Sequence, residues 1–506
     1  MLTRRSFLVG AACFSLTPLM VRGAAGGYPF SLGVASGSPR PDGGVLWTRL
    51  APEPLAGGGM PPGPAAVRWR VAEDEAMRRV VREGLQETDE QVAHAVHVPL
   101  RGLEPARDYF YQFHVGDDDS PVGRLRTAGA GMDAARFAVV ACQHFETGHW
   151  AGFRDLAAWA PDCVIHVGDY IYEGGASPLG AGTRGALAYE IVRQHRGEEI
   201  RSLWDYRNRY ALYRMDPALQ AAHAASSWIV AFDDHEVDNN WAGEVPQDPW
   251  AQSAAEFALR KQAALRAYYE HMPLERPPVP DGLGATLRLY GAYRFGPAQV
   301  HLLDTRQYRS DQACGDGRQD PERCEALDDP SRTMTGAVQE AWLFRELARS
   351  DARYDVLAQQ TWFAPFRYGA DDGTERVNVD QWDGYPRQRE RMLEQLREAS
   401  NPVILSGDWH AACAMGVHER PGDVTSRKIA SEFTATSMSS LCPWQEDLAA
   451  ARDRNAHVVH VDGTRRGYLR CEATAQAWTS TFRSVVDPLD PGSAVVTDLE
   501  LRAGDV

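Results

Sequence analysis

The sequence predicts a layered α/β (α+β) domain built on a central sheet, preceded by a small β-sandwich domain. From about residue 134 to residue 485, short apolar runs alternate with helical segments, which is typical of a sheet covered by helices. Residues 27–128 instead contain runs in which apolar and polar residues alternate, as they do in half-buried strands. We therefore expect two domains, joined by a linker at residues 129–133.

Strands of the first domain are predicted at residues 44–50 and 66–71, on either side of a loop rich in Gly and Pro. Residues 102–111 place a Leu-x-Pro turn before alternating aromatic residues. This arrangement is similar to the corner of fibronectin- or immunoglobulin-like sandwiches. In the second domain, amphipathic helices are predicted at residues 251–271 and 337–349. The chain beyond about residue 485 gives no expectation.

The N-terminus has the features of a twin-arginine secretory signal. Arg4 and Arg5 precede an apolar run that extends to Met20, and small residues near Ala25 suit cleavage. We expect residues 1–26 to engage the twin-arginine export machinery and the mature protein to be periplasmic or secreted. The alternative is an ordinary signal with a chance arginine pair. No other stretch is long and apolar enough for a membrane span, so we expect no transmembrane anchor in the mature form.

The net charge is −16, which argues against nucleic acid as a partner because nucleic acid requires a basic face. A phosphate-bearing substrate would need a local positive feature, such as metal ions or placed arginines. Among eight cysteines, Cys314 and Cys324 lie close together in a polar stretch. This spacing suits a loop disulfide in an oxidising compartment.

Four buried strands are predicted to end in residues that bind metals. The residues that follow them are Cys142, Asp169, Asp233-Asp234-His235-Glu236 and Asp408-Trp409-His410. The carboxyl edge of such a sheet is where sites form. Carboxylate and amide oxygens suit hard cations, whereas thiolate and imidazole suit a transition metal. A mixed dinuclear site, which would clamp a phosphate and generate hydroxide from water, accounts for both kinds of donor.

Other chemistries lack their motifs. The sequence has no Gly-x-Ser-x-Gly elbow and no Gly-Lys pair of a Walker loop. His235-Glu236 lacks the second histidine of a zinc protease, and no Gly-x-Gly-x-x-Gly fingerprint follows a strand.

An ordered set of segments resembles the alkaline phosphatase D (PhoD-like) family of metallophosphoesterases, from about residue 30 to residue 480. The segments lie at residues 33–37, 46–49, 168–173, 233–241, 303–306, 381–386, 406–410 and 432–433. The two most specific are Gly-Asp-Tyr-Ile-Tyr-Glu at 168–173 and Asp-Asp-His-Glu-Val-Asp-Asn-Asn-Trp at 233–241. The resemblance implies a metallophosphoesterase catalytic domain.

The resemblance also implies a site that holds one ferric iron (Fe³⁺) and calcium (Ca²⁺). By the family pattern the iron ligands are Cys142, Asp169, Tyr172 and His410, with Asp169 also bridging to calcium, and the calcium ligands are Asp234, Asn240 and Asp408. Broader metallophosphoesterases have Asp-x-His where this chain has Cys142-Gln143-His144, so Cys142 replaces a carboxylate. Taken singly, Cys142 would be a buried inert thiol, Tyr172 a core aromatic and Asn240 a turn residue. His144 is given no ligand role.

The implied activity is hydrolysis of small-molecule phosphate esters by metal-bound hydroxide, with His235 as the general acid or as a group that orients the substrate. A diesterase that acts on phospholipid or teichoic-acid-like polymers could use the same site. A rival of another class is an inactive cell-surface binding protein. Arg306 and Arg309 are candidates for phosphate contact, although an Asp304–Arg306 ion pair is an equal alternative. His166 and His301 lie inside apolar runs and are expected to be core residues.

Overall fold

A computed structural model of the protein describes residues 27–184, 187–370 and 372–506. The predicted secretory signal at residues 1–26 lies outside the described residues, so the twin-arginine assignment stays a prediction. Within the described part of the chain, no helix has both the length and the apolar character that crossing a membrane requires.

The strands are numbered in chain order. The first ten are β1 (Val34–Arg40), β2 (Gly43–Arg49), β3 (Ala65–Ala72), β4 (Val80–Thr88), β5 (Ala95–Leu100), β6 (Asp108–Val115), β7 (Asp118–Asp119), β8 (Gly123–Arg126), β9 (Ala134–Val140) and β10 (Cys163–His166). The next nine are β11 (Gly180–Arg184), β12 (Leu187–Ile191), β13 (Ser227–Val230), β14 (Val279–Asp281), β15 (Gly284–Thr286), β16 (Gly291–Phe295), β17 (Ala298–Leu302), β18 (Arg318–Gln319) and β19 (Tyr354–Ala358). The last nine are β20 (Arg367–Gly369), β21 (Glu375–Asn378), β22 (Val403–Ser406), β23 (Ala412–His418), β24 (Lys428–Thr434), β25 (Val458–Asp462), β26 (Gly467–Thr474), β27 (Trp478–Val485) and β28 (Val495–Arg502).

The helices are α1 (Ala151–Trp159), α2 (Leu203–Arg214), α3 (Pro217–Ala225), α4 (Ala254–His271), α5 (Gly336–Arg349), α6 (Pro386–Leu396) and α7 (Gln445–Ala451). Local sequence explains where several begin. Ser253 and Glu256 form a capping box at the start of α4, and Asp216 caps α3 with Pro217 at its first position. The predicted helices at 251–271 and 337–349 are therefore confirmed as α4 and α5.

Two large sheets form the centre of the molecule. The first has the order β28-β27-β26-β9-β10-β13-β1-β2-β5, and the second has the order β16-β17-β19-β22-β24-β23-β25. Strands β9, β10 and β13 run parallel in the first sheet, and β17, β19, β22 and β24 run parallel in the second. Neighbouring parallel strands have their carboxyl ends at the same edge of a sheet. The predicted site residues come directly after these strands, at that edge.

The two sheets pack face to face with helices outside them, so the layers are helix, sheet, sheet and helix. Val139 and Ile165 of the first sheet meet Val356 and Leu405 of the second in one buried cluster. Helices α1, α2 and α4 cover the outer face of the first sheet, and α5 and α6 cover that of the second. The mixed α/β sheet architecture predicted from the sequence is confirmed.

The N-terminal strands form a sandwich, one layer of which belongs to the first large sheet. Strand β3 pairs with β4 and β6, and β6 also pairs with β7 and β8. This smaller sheet packs on β1, β2 and β5 through residues such as Val34, Leu46, Val67 and Phe113. Because β1 pairs in parallel with β13, hydrogen bonding crosses the expected division near residue 130. The proposed domain limits and the fibronectin-like detail stay predictions.

Beyond residue 485, where no element was predicted, β28 pairs with β27 at the edge of the first sheet. The Cys314–Cys324 disulfide expected from the sequence is formed in the structure. The other cysteines in the described part of the chain, Cys142, Cys163, Cys413, Cys442 and Cys471, are free and buried.

Candidate metal centre

The carboxyl ends of four strands converge on one point. Cys142 follows β9, Asp169 follows β10, Asp234 follows β13 and Asp408 follows β22. Glycines allow this approach. A Cβ atom on Gly168, whose φ is +121°, would lie 2.7 Å from the backbone nitrogen of Asp233, so a side chain there would force β10 and β13 apart.

The backbone at this point is held in an unusual conformation. Cys142, Asp169, Asn240, Asp408 and His410 all have left-handed φ angles between 51° and 61°. Such conformations cost free energy for residues with a Cβ atom, and they persist where the surrounding structure over-determines them, as it often does at functional sites. Five of the seven predicted metal ligands share this feature.

One group of donor atoms surrounds the thiol. Single ligand atoms of Cys142, Asp169 and His410 all lie within 4.8 Å of one another. Tyr172 joins them, since its Oη lies 2.8 Å from Oδ2 of Asp169 and 3.2 Å from Nε2 of His410. Nδ1 of His410 donates to the carbonyl of Leu441 at 2.5 Å, which leaves Nε2 as an acceptor.

Without a cation these buried groups crowd one another. The Tyr172 hydroxyl lies within hydrogen-bond distance of both the Asp169 carboxyl and the His410 ring. Burial and the neighbouring carboxylates also raise the pKa of the Cys142 thiol and of the Asp169 carboxyl well above their usual values. A cation would satisfy all four donors at once, so the residues fit a metal of the kind that accepts thiolate, imidazole and oxygen.

A second group consists of carboxylates. Oxygens of Asp233, Asp234 and Asp408 lie within 4.8 Å of one another, and Asp169, Asp234 and His235 form an overlapping group. Buried oxygens of Asp169 (Oδ1), Asp233 (Oδ2) and Asp234 (Oδ1) have no hydrogen-bond partner. Uncompensated buried carboxylate oxygens are costly, so this group fits a hard, oxygen-binding cation.

The backbone of Asn240 contacts this second group of carboxylates. Its N–H donates to Oδ2 of Asp234 at 2.8 Å, and its side-chain nitrogen donates to Asp316 at 2.7 Å. The structure therefore brings Asn240 beside Asp234, with the amide nitrogen turned towards Asp316.

His235 lies beside both groups and is oriented by Glu173. Its Nδ1 is 2.7 Å from Oε2 of Glu173. The other carboxylate oxygen of Glu173 accepts the N–H of Asn239 at 2.9 Å. Burial disfavours a charged imidazole, but Glu173, Asp234 and Asp169 outweigh it and raise the pKa of His235 well above its usual value.

Arg306 and Arg309 are not free to contact phosphate, which corrects that expectation. Nε of Arg306 lies 2.5 Å from Asp233, and its two terminal nitrogens bind Asp380 at 2.9 and 2.8 Å. Nη1 of Arg309 lies 3.1 Å from the same Asp380 carboxylate. The expected ion pair between Arg306 and Asp304 is not the one that forms. The side chain of Arg306 pairs instead with Asp233 and Asp380, which come from other parts of the chain.

Several supporting residues were missed by sequence reasoning. Glu236 accepts the N–H groups of Asp169 and Tyr170 at 3.2 and 2.6 Å, and Ser440 contacts Tyr172. Glu173 and Glu236 lie inside segments that resemble the family, and this position was the sequence signal that could have pointed to them. Ser440 lies outside those segments, so no such signal marked it. His166 and His301 are buried, as expected.

Comparison with known proteins identifies the family of this chain. The sequence model of the PhoD-like phosphatase family matches residues 137–482, and that of the PhoD-like phosphatase N-terminal domain matches residues 17–129. The chain belongs to the PhoD-like phosphatase family. The predicted resemblance is thereby confirmed, and membership makes the chain a phosphoric ester hydrolase.

Two relatives show how far the PhoD-like similarity extends. Alkaline phosphatase D of Bacillus subtilis (strain 168) is 42% identical over 479 residues, which cover 93% of this chain and 80% of that protein. A solved structure described as the structure of PhoD superposes with a TM-score of 0.87 at 41% identity, covering 94% of this chain and 90% of that one. The similarity therefore includes both large sheets and the strand ends that carry the site.

Proposed function

We propose that this chain is an exported, metal-dependent phosphoesterase that hydrolyses small-molecule phosphate esters. The observation that carries the proposal is the convergence of ligand atoms of Cys142, Asp169, Tyr172 and His410 on one buried point. The buried carboxylate oxygens without partners beside that point support it further. Both features are relieved by cations, and cations would supply the positive field that a chain of charge −16 otherwise lacks.

The donor types support a mixed centre of Fe³⁺ and Ca²⁺. Cys142, Asp169, Tyr172 and His410 would hold the iron, since thiolate, phenolate and imidazole favour a transition metal. Asp234, Asn240 and Asp408 would hold calcium through oxygen atoms, with Asp169 shared between the two. When bound, such metals supply Lewis-acid chemistry, neutralising phosphate charge and lowering the pKa of water.

The chain's own residues then position the reaction. His235 would donate a proton to the leaving oxygen or orient the substrate there, and Glu173 fixes the ring through Nδ1. Arg306 holds Asp233 in place. Its charge offsets part of the repulsion among the neighbouring carboxylates. Glu236 fixes the backbone turn that presents Asp169.

Two alternatives remain for comparison. A phosphodiesterase that acts on phospholipid or teichoic-acid-like diesters would use the same residues, so the substrate alone separates it from a monoesterase. An inactive cell-surface binding protein is disfavoured, because family membership and the intact Asp169, His235 and His410 point to an enzyme. Periplasmic or secreted location through twin-arginine export rests on Arg4 and Arg5.

The test is a panel of phosphate monoesters and diesters, assayed on metal-free protein to which defined metals are returned. We expect activity to need both a transition metal and calcium. Full activity in metal-free protein would overturn the metal-dependent mechanism. A clear preference for diesters would select the alternative substrate class while leaving the site unchanged.

A further inference from the structure

Ser440 joins two of the predicted iron ligands. It is buried, and its Oγ lies 2.7 Å from Oη of Tyr172 and 2.7 Å from the carbonyl oxygen of Cys142. The backbone N–H of His144 also donates to this oxygen at 3.2 Å. One side chain thus connects the loop after β9 to the aromatic ring that follows β10.

The Ser440 hydroxyl has one proton and two acceptors at 2.7 Å, the Cys142 carbonyl and Tyr172 Oη. The Cys142 carbonyl already accepts the backbone N–H groups of Ser440 at 3.2 Å and of Ser439 at 3.4 Å. The N–H of His144 occupies an acceptor position on Ser440 Oγ, so that contact does not use the hydroxyl proton. If the hydroxyl proton turns to a metal-bound Tyr172 Oη, the Cys142 carbonyl keeps its two backbone donors. Tyr172 Oη has no other hydroxyl donor within hydrogen-bond distance in the described part of the chain.

The Tyr172 ring itself has little freedom to turn away. It lies between the rings of His144 and His235, whose centroids are 4.5 and 4.1 Å from its own. Its oxygen faces Asp169 and His410 on the side where a cation would lie. A phenol oxygen that binds a cation still accepts a hydrogen bond, and a bond to a charged oxygen is stronger than a neutral one.

We propose that Ser440 is a positioning residue, which donates its hydroxyl proton to Tyr172 Oη and so holds that oxygen at the metal. This inference rests on the proposed function, because it takes Tyr172 to be a ligand. Water cannot easily replace the serine, since the site around it is buried. Loss of the hydroxyl should therefore weaken metal binding, as the phenol oxygen loses a charge-assisted partner.

The experiment measures binding of Co²⁺ to metal-free protein, because the visible absorption of Co²⁺ reports its donor atoms. Ser440→Ala should bind Co²⁺ about tenfold more weakly than wild type and should show a shifted cobalt spectrum. Ser440→Thr should restore much of the affinity because it keeps the hydroxyl donor. Far-ultraviolet circular dichroism would confirm that each variant is folded.

Ser439→Ala is the matched control. Ser439 is the neighbouring buried serine, but its Oγ donates to the carbonyl of His144 at 2.7 Å and accepts from Trp150 at 3.0 Å. It should bind Co²⁺ as wild type does. Equal weakening in both alanine variants would overturn the inference, since loop packing would then explain the loss.

Tyr172→Phe separates this inference from the proposed function. Suppose that Tyr172→Phe weakens Co²⁺ binding and shifts the spectrum while Ser440→Ala matches wild type. The proposed positioning role of Ser440 is then wrong, and the assignment of Tyr172 as a ligand is kept. If Tyr172→Phe also matches wild type, Tyr172 is not a ligand, and both the assignment and the inference are overturned.

Discussion

Nδ1 of His235 lies 2.7 Å from Oε2 of Glu173, a carboxylate that is itself fixed by the N–H of Asn239. The carboxylate holds one ring nitrogen, so the ring is turned in a defined direction beside Asp169 and Asp234. This contact orients the His235 ring, as the proposed role of a general acid requires.

His235→Ala should lower kcat by roughly 100-fold or more, which is the usual contribution of a general acid. Metal content should stay near that of wild type, because His235 is not counted as a ligand. Turnover and metal analysis on the same preparation check both points. Loss of metal from a folded variant would make His235 a ligand, and near-normal turnover would remove it from the mechanism.

Glu173→Gln should lower kcat less than His235→Ala does, because it removes the charge that orients the ring but leaves the imidazole in place. His460→Ala, on the edge strand β25 of the second sheet, is the control and should leave kcat unchanged. If Glu173→Gln left kcat at the wild-type value, the contact between Glu173 and His235 would have no role in turnover.

The protein purified without chelator should be coloured and should contain iron and calcium. Thiolate and phenolate donors give charge-transfer absorption with Fe³⁺, whereas Ca²⁺, Mg²⁺ and Zn²⁺ give none in the visible range. Cys142→Ser and Tyr172→Phe should each shift or weaken the visible band and lower activity. A colourless, fully active enzyme that contains only zinc would contradict the iron assignment and leave the phosphoesterase proposal standing.

Asp408→Ala should mainly reduce calcium content and activity, because Asp408 lies with the carboxylates Asp233 and Asp234 rather than with the thiol. Some colour should remain. Metal analysis and a visible spectrum of the variant provide the measurement. If iron were lost and calcium retained, the division of ligands between the two metals would be reversed.

Arg306→Met should lower the free energy of unfolding by about 3–5 kcal/mol, because it leaves buried Asp233 without its cation and removes one of the two arginines that bind Asp380. Urea unfolding of the purified variant gives the value. Arg345→Met, at an exposed position of α5, is the matched control and should change stability by no more than about 0.5 kcal/mol. Equal stability of the two variants would show that the buried ion pairs are not needed for folding.

Replacing Arg4 and Arg5 with lysine should leave the precursor in the cytoplasm, since the twin-arginine pathway requires the arginine pair. Immunoblots of cytoplasmic and exported fractions, together with activity in each, measure this. Unchanged exported activity would show that another route carries the protein.

Several features followed from sequence alone because each depends on local chemistry. The strands before Cys142, Asp169, Asp234 and Asp408 were predictable from apolar runs that end in polar residues, and α4 and α5 from their periodicity. The order of the segments identified the family, and the polar stretch around Cys314 and Cys324 indicated their disulfide.

Only the tertiary structure decided what the side chains contact. Arg306 binds Asp233 and Asp380, which are 73 and 74 residues away along the chain, and Ser440 reaches Tyr172 across 268 residues. The two sheets bring such residues together, and no local pattern records which distant partner each will meet. For the same reason residues 27–128 were predicted as a separate domain, whereas in the structure β1 of that region pairs with β13. The alternation of residue types at residues 44–50 and 66–71 reports half-buried surfaces and not the neighbours that bury them.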